Sequence, residues 1–236
     1  MTSIPPIAVL AGGLATRLGE LTQAVPKSML DIQGEPFIAH QLRKLASLGG
    51  TRIVLCLGHL SNVIEDFVGD GSDFELSVTY SYDGVEQQGT GGAIYRALDL
   101  LDEDFIVTYG DSYVDLDLAE LTQFHRQSKL PATMSIFKND GQWDKSNVRM
   151  SSPHKILYEQ TPHVQSMFID YGASVITRAK FKAVAPAGSW ELPRFFEALS
   201  ESNELGGFLV KNRFFEIGST IGLNEFRNIV GERESN

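Results

Sequence analysis

Short apolar runs alternate with stretches of helical periodicity in the first half of the chain, and this alternation restricts the fold more than any other feature. Residues 7–11, 52–58, 77–82 and 105–109 are short, apolar and bounded by glycine or polar residues, which is typical of buried strands. Phe37, Leu42, Leu45 and Leu48 recur at helical spacing between the first two runs. The order predicts an α/β fold: a Rossmann-like, doubly wound, mostly parallel mixed sheet with helices on both faces.

The second half is richer in strands. Residues 132–137, 147–150, 155–160 and 168–176 are strand-like with few helices between them. A helix is predicted over 192–200, short strands over 208–210 and 214–216, and a closing helix over 221–230. We therefore expect a single domain over residues 1–236, with a doubly wound half to about residue 130 and a more mixed half over about 131–230.

The charge balance excludes several classes of partner. The 30 acidic and 20 basic residues leave a net charge of −10, so no basic surplus is present for nucleic acid or an anionic membrane. The single cysteine excludes an internal disulfide and a multi-cysteine zinc site. No apolar stretch has the length of a membrane span, and the N-terminus lacks the pattern of a signal peptide, so we expect a cytoplasmic protein.

The segment after the first strand is suited to phosphate. Gly12 and Gly13 leave backbone N–H groups accessible to an anion, and Thr16 adds a hydroxyl donor. Arg17 supplies a planar fork for phosphate oxygens, and Lys27, placed after Pro26, supplies a compact positive charge. The alternative is a surface loop that carries two solvated cations.

Two further features follow the third and fourth strands, at the sheet edge where α/β proteins bind ligands. The run Gln87-Gln-Gly-Thr-Gly-Gly-Ala93 precedes a helix, and its glycines suit close contact with a flat base or a sugar, or form a flexible loop. Asp111 follows the fourth strand and is placed to hold Mg²⁺, although an aspartate there is often a turn former.

Glu216 lies in an apolar strand, where a carboxylate needs a cation. A metal shared with Asp111 would satisfy it, and so would a salt bridge to an arginine. The five histidines are scattered without metal-binding spacing, so none is a candidate catalytic base or ligand. The chain is therefore better suited to anion binding with one hard cation than to acyl transfer.

Taken together, these segments resemble the sugar-1-phosphate nucleotidylyltransferase family. The pattern Leu10-Ala-Gly-Gly-x-x-Thr-Arg-Leu18, then Leu21-Thr22, Pro26-Lys27-x-Met29 and Ile32-x-Gly34-x-Pro36-Phe37, is similar to the long N-terminal signature of that family. Gly110-Asp111 and Glu216-Ile-Gly218 match later landmarks. The resemblance extends from about residue 7 to about residue 228, and it implies a nucleotide-binding first half and a sugar-binding second half.

The resemblance implies a role for each matching position. Nucleotide contacts are implied for Leu10, Ala11, Gly12, Gly13, Thr16, Gln88, Gly89 and Gly92, and sugar contacts for Glu159, Asp170, Tyr171 and Gly172. Arg17 is implied to hold the phosphates that leave as pyrophosphate, and Lys27 to meet the α-phosphate and the sugar phosphate. Asp111 and Glu216 are implied to ligate Mg²⁺. Glu216 stands where relatives commonly have Asp, and Gln160 where they often have Lys.

The implied reaction joins a nucleoside triphosphate to a sugar 1-phosphate and releases pyrophosphate. The loop at 88–93 is closest to guanylyl-transferring relatives that act on mannose or heptose 1-phosphate, which favours GTP. Uridylyl or cytidylyl transfer to another sugar 1-phosphate, such as an amino sugar, remains an alternative, as does a phosphorylated alcohol or phosphonate. A non-catalytic regulator that binds a nucleotide sugar is the rival from another class. We expect a monomer or small homo-oligomer without nucleic-acid or membrane partners.

Overall fold

The computed structural model describes residues 3–13, 25–84, 88–143, 145–160, 166–186 and 188–234. The strands are β1 Ile7–Leu10, β2 Asp31–Ile32, β3 Glu35–Pro36, β4 Arg52–Leu57, β5 Ser77–Tyr82, β6 Asp104–Tyr109, β7 Ser112–Tyr113, β8 Ala132–Lys138, β9 Val148–Ser152, β10 Lys155–Tyr158, β11 Phe168–Thr177, β12 Leu205–Val210 and β13 Phe215–Glu216. The helices are α1 Phe37–Ser47, α2 Ser61–Val68, α3 Gly89–Ala97, α4 Leu118–Ser128, α5 Arg178–Val184, α6 Pro193–Glu201 and α7 Thr220–Glu234.

Nine strands form one mixed sheet in the order β5-β4-β1-β6-β11-β8-β12-β10-β9. The four strands that the first half contributes to this sheet, β5, β4, β1 and β6, are parallel neighbours. Strand β11 runs antiparallel to both β6 and β8, and β12 is parallel to β8. The prediction of a mostly parallel, mixed α/β sheet in the first half with a more mixed second half is confirmed.

Apolar side chains on both faces of the sheet form the two main cores. Alternate residues of β1 point to opposite faces, so Ala8 and Leu10 join one core while Ile7 and Val9 join the other. Helix α1 covers the second face with Leu42 and Leu45, which are buried. Among the candidate functional residues, Gly12, Gly13 and Asp111 lie directly after the buried strands β1 and β6.

Local capping chemistry accounts for several element ends. The Asp117 side chain accepts a hydrogen bond from Glu120 N at 2.9 Å and so caps α4, as its position predicts. Gly49 follows α1 with a φ of +87°, a conformation that glycine adopts without strain.

Two helices differ from the sequence prediction. Helix α3 begins at Gly89 rather than at residue 93, because the glycine run is held by a second segment of chain instead of forming a free loop. Helix α5 was not predicted, since its seven residues include three basic side chains and bury Phe181 as the only fully enclosed residue. No helix in the described ranges is long and apolar enough to cross a membrane.

Candidate active site

A cavity of about 460 Å³ opens at the carboxyl ends of the parallel strands. Its lining residues come from six separate stretches of the chain: Leu10, Ala11, Gly12, Gly13, Lys27, Ser28, Asp83, Gly89, Thr90, Ala93, Tyr109, Gly110, Asp111 and Glu191. Seven of the residues predicted to bind the nucleotide, the phosphates or the metal are in this set. Six of them lie in or beside β1, β6 and α3, and the seventh, Lys27, begins a short 3₁₀ helix. The strand topology has therefore assembled them where a ligand of an α/β sheet is expected.

The turn after β1 passes very close to its neighbours. A methyl group on Gly12 would lie 2.8 Å from Gly58 N, and one on Gly110 would lie 2.8 Å from Ala11 Cα. Both glycines are therefore required by close backbone packing, independently of any ligand. The exposed Gly13 has no described atom within 4 Å of the corresponding position, so the space beside this residue is open to a ligand.

Lys27 and Ser28 supply donors to the same part of the cavity. Lys27 begins a short 3₁₀ helix after Pro26, and its Nζ donates to Asp111 Oδ2 at 2.7 Å. The Ser28 hydroxyl is buried and has no hydrogen-bond partner among the described residues. A buried hydroxyl without a partner is costly, so this donor is available to a ligand oxygen. Thr16 and Arg17, predicted to act here, lie outside the described residues.

Asp111 and Glu216 are brought together by the pairing of β7 with β13. A methyl group on Gly218 would lie 2.5 Å from Glu216 Oε2, 3.2 Å from Asp111 Oδ2 and 3.4 Å from Lys27 Nζ. Two carboxylate oxygens and one ammonium therefore surround a single point. Glu216 also accepts hydrogen bonds from Gly218 N and, at 2.8 Å, from the Ser219 hydroxyl, which fix its orientation.

These two carboxylates fit a divalent cation that is shared with a substrate. Mg²⁺ in phosphoryl-transfer sites takes one or two carboxylates and completes its shell with water and phosphate oxygens. In the described part of the chain, no group of three or more His, Cys, Asp or Glu side chains could hold a metal ion. The Lys27 ammonium lies against Asp111 and shows that the site accepts positive charge.

Asp83 occupies the opposite end of the cavity, just beyond β5. Its side chain is buried, and burial raises the pKa of its carboxyl while the positive charge of Arg96 opposes the shift. A methyl group on Gly58 would lie 3.3 Å from Asp83 Oδ2, which places this carboxylate beside the turn after β4. The sequence places Asp83 directly after the third strand, at the edge where ligands are expected, but it indicates no specific role for this residue.

The predicted base-binding residues belong to a tightly packed turn. Gly89 and Thr90 line the cavity, while Gly92 is buried with the Gln88 side chain packed against it. A methyl group on Gly91 would overlap the Trp190 ring. The glycines are therefore needed for packing on residue 190, a reason that the isolated motif could not reveal.

Of the four predicted sugar-binding residues, Asp170 and Gly172 lie near Tyr109. Burial raises the pKa of Asp170 to about 6, although Gly172 N donates to its carboxylate at 2.9 Å. A methyl group on Gly172 would lie 3.9 Å from Tyr109 Cδ2, which brings β11 to the cavity wall. Burial, followed by the negative charge of Asp170, raises the pKa of the Tyr109 hydroxyl well above its usual value.

Two of the predicted sugar-site residues have protein partners. The Glu159 carboxylate lies 3.4 Å from the guanidinium of Arg149. Tyr171 is fully buried in the core, and its hydroxyl faces the backbone of Asp115, so its side chain does not reach the cavity. Alternation along β11 explains this placement, because neighbours of a residue that faces the site point the other way. Gln160 donates to Glu197 at 2.6 Å, away from the cavity lining.

Thr90 and Glu191 are two further cavity residues for which the sequence indicated no role, as it indicated none for Ser28 and Tyr109. Glu191 follows Trp190 in an irregular segment before α6, and no motif singles it out. Its carboxylate accepts hydrogen bonds from Thr90 N at 3.1 Å and from the Thr90 hydroxyl at 2.6 Å.

Comparisons with known proteins give a consistent result. The profile of the Nucleotidyl transferase family matches residues 7–145. N-acetylmuramate alpha-1-phosphate uridylyltransferase of Neisseria meningitidis is 37% identical over 128 residues, 54% of this chain and 54% of that protein. Mannose-1-phosphate guanylyltransferase of Mycobacterium tuberculosis is 35% identical over 131 residues, 55% of this chain and 36% of that protein. The matched region therefore spans about half or less of these curated relatives.

A solved structure extends the likeness to nearly the whole chain. The structure of HddC from Yersinia pseudotuberculosis complexed with GMP-PN superposes with a TM-score of 0.78, at 24% identity, and covers 96% of this chain and 99% of that one. At this identity the superposition supports the fold, and it includes the second half that the family profile leaves out.

Proposed function

This chain belongs to the Nucleotidyl transferase family, and from that premise we propose that it transfers a nucleoside monophosphate from a nucleoside triphosphate to a sugar 1-phosphate. The observation that carries the proposal is the convergence of Lys27, Asp111 and Glu216 around one point at the cavity. Two phosphate groups repel each other, and a reaction between them needs positive charge and oriented donors more than it needs a base.

In the proposed mechanism the protein binds and orients two anions. A sugar-phosphate oxygen forms a bond to the α-phosphorus, the bond from that phosphorus to its bridging oxygen breaks, and pyrophosphate leaves with the electron pair. Lys27 donates to the oxygens of the α-phosphate and sugar phosphate, and Ser28 and the Gly13 N–H add neutral donors. Arg17 holds the leaving phosphates.

Asp111 and Glu216 would hold Mg²⁺ in this scheme. When bound, the ion supplies charge neutralisation and polarisation of phosphate oxygens. Ser219 and the Gly218 N–H keep the Glu216 carboxylate aimed at Asp111, which offsets the freedom of a side chain one methylene longer than the Asp common in relatives.

GTP is the nucleotide that we propose, with a mannose or heptose 1-phosphate as acceptor. Asp83 supports guanine, since a carboxylate accepts hydrogen bonds and guanine offers two adjacent donors, N1–H and the N2 amino group. Uracil offers one such donor and cytosine one amino group, so UTP and CTP remain the alternatives to test. Glu159 and Asp170 are proposed to accept hydroxyl groups of the sugar.

A matrix of nucleoside triphosphates and sugar 1-phosphates, read by pyrophosphate release in the presence of Mg²⁺, tests this proposal. We expect turnover with GTP and a hexose or heptose 1-phosphate, and none without metal. Turnover confined to UTP or CTP would refute the base assignment and leave the reaction class intact. Calorimetric binding of a nucleotide sugar without turnover of any pair would favour the non-catalytic regulator.

A further inference from the structure

Two segments about 100 residues apart are joined along one side of the cavity. Trp190 N donates to Gln88 O at 2.9 Å, and Trp190 O accepts from Gly91 N at 3.0 Å and from Gly92 N at 3.3 Å. Leu192 N donates to the Thr90 hydroxyl at 2.8 Å. We call residues 88–92 and 190–192 together the clasp.

The clasp uses the N–H groups at the start of α3. The N–H groups of Gly91 and Gly92 are bound to Trp190 O, and that of Thr90 is bound to Glu191 Oε2. Free N–H groups at a helix start can bind phosphate, but these already have acceptors. The phosphates of a substrate therefore belong at the Gly13 and Lys27 side of the cavity, and this side serves another part of the ligand.

The two carboxylate oxygens of Glu191 differ in their hydrogen bonds. Oε2 accepts both hydrogen bonds from Thr90. Oε1 has no hydrogen-bond partner among the described residues, and a methyl group on Gly89 would lie 2.9 Å from it. Since Gly89 and Glu191 both line the cavity, the side chain is exposed at its wall.

We propose that Glu191 is a substrate-binding residue: Oε2 holds the glycine turn while Oε1 accepts a hydrogen bond from a hydroxyl group of the substrate. The inference rests on the proposed function and names a contact at that same site. A carboxylate makes strong hydrogen bonds to hydroxyl donors. Because Oε2 is held by Thr90, the whole carboxylate is already oriented, and Oε1 loses little conformational freedom when it binds a ligand.

The surrounding negative charge favours an uncharged hydroxyl as the hydrogen-bond donor to Glu191. Asp111 also lines this cavity, Asp170 lies behind Tyr109, and Lys27 is the cation among the described lining residues. An anionic group next to Glu191 would be repelled, whereas an O–H group is an uncharged donor. Both substrates offer such groups, on the ribose of the nucleotide and on the sugar.

The test compares hydroxyl-deleted ligands in wild type and in Glu191→Gln. One arm uses 2′-deoxy and 3′-deoxy nucleoside triphosphates, and the other uses deoxy sugar 1-phosphates, with affinity measured by calorimetry and turnover by pyrophosphate release. In wild type, loss of the contacted hydroxyl should weaken binding about tenfold or more, the ratio expected for a hydrogen bond to a charged group. In Glu191→Gln the hydrogen bond is to a neutral amide, so the same deletion should weaken binding clearly less than in wild type. The arm that shows the difference identifies ribose or sugar.

Two further variants separate contact from scaffolding. Thr90→Val removes both the side-chain donor to Glu191 and the acceptor for Leu192 N, so it loosens the clasp but keeps the carboxylate. It should retain the wild-type deletion penalty, which Glu191→Gln reduces. Glu197→Gln carries the same charge change on α6, where Glu197 binds Gln160, and should behave as wild type. Thermal unfolding checks that each variant folds.

An equal penalty in wild type and in folded Glu191→Gln, for every hydroxyl deleted, would overturn the inference. Absence of turnover in wild type would instead count against the proposed function. The calorimetric comparison would still decide whether Glu191 contacts a hydroxyl of a bound nucleotide or nucleotide sugar, so the two failures are distinguishable.

Discussion

Replacing Lys27 with methionine should strengthen the binding of a divalent cation to the protein in the absence of nucleotide. Lys27 Nζ lies 2.7 Å from Asp111 Oδ2, and both groups border the point on which Glu216 Oε2 also converges. A cation that binds Asp111 and Glu216 must therefore displace the ammonium from Asp111. Methionine keeps the length of the side chain and removes the competing charge.

The size of the effect follows from the burial of the pair. The Lys27 and Asp111 side chains are 21% and 31% exposed, so their interaction exceeds the roughly 0.2–1 kcal/mol of fully exposed ion pairs. It falls short of the roughly 4 kcal/mol expected for charges 4 Å apart at a surface dielectric without solvent competition. A value of about 1–2 kcal/mol corresponds to metal binding that is about five to thirty times tighter.

Titration with Mn²⁺, followed by electron paramagnetic resonance of the free ion, measures this affinity without any turnover. Lys44→Met is the matched control, because Lys44 forms an ion pair with Asp115 whose side chains are similarly exposed, at 19% and 37%. Lys44 does not line the cavity. Both variants lose one positive charge, so any difference between them reports the local competition and not the net charge.

The same Lys27 variant should lose pyrophosphate release almost completely, because the phosphates lose their nearest described cation. Tighter metal binding combined with lost turnover is a pair of opposite effects that simple unfolding does not produce. If Lys27→Met binds Mn²⁺ no more tightly than Lys44→Met, then Lys27 does not compete for the metal position and our interpretation of the site is wrong.

Three other predictions follow from individual residues. Gly91→Ala should lower the melting temperature by several degrees, since its methyl would overlap the Trp190 ring and overpacking costs about 1–3 kcal/mol; thermal unfolding measures it, and an unchanged value would contradict the packing. The raised pKa of Asp170, about 6 when folded against about 3.9 unfolded, means that the folded state binds the extra proton, so stability falls as pH rises from about 4 to about 6. Asp170→Asn should therefore raise the free energy of unfolding at pH 7.5 by about 1–3 kcal/mol and leave it unchanged at pH 4, measured by urea denaturation; equal gains at both pH values would exclude this cause. Asp83→Asn should reduce the preference for GTP over UTP in competition assays by about tenfold or more, and an unaltered ratio would remove Asp83 from base recognition.

The strand pattern was readable from sequence because each strand is short, apolar and followed by a turn. Residues 52–58 and 77–82 were placed within one residue of β4 and β5. The phosphate and metal residues were also accessible, since turns after parallel strands meet at one sheet edge. Lys27 and Asp111, 84 positions apart, form a direct ion pair there.

The clasp could not be predicted for a physical reason. Its hydrogen bonds join residues 88–92 to residues 190–192, and neither segment has a pattern that specifies the other. The glycine run therefore looked like a flexible turn or a base-binding turn, whereas Trp190 packs on it and sets the start of α3. Similarly, the orientation of Tyr171 depends on strand register, and a shift of one residue exchanges the two faces of β11.

The order of strands provides a further argument for how the substrates lie. Asp83 follows β5, Gly58 follows β4, Gly12 follows β1 and Asp111 follows β6, while Gly172 of β11 adjoins Tyr109. Neighbouring strands are about 4.8 Å apart, so β5 to β11 spans about 19 Å. A base at Asp83, phosphates over the turn after β1, a metal at β6 and a sugar at β11 would follow this order. The order of the strands would then set the spatial order of base, phosphates and sugar along the cavity. The two phosphates that repel each other would meet where Lys27 and the two carboxylates converge.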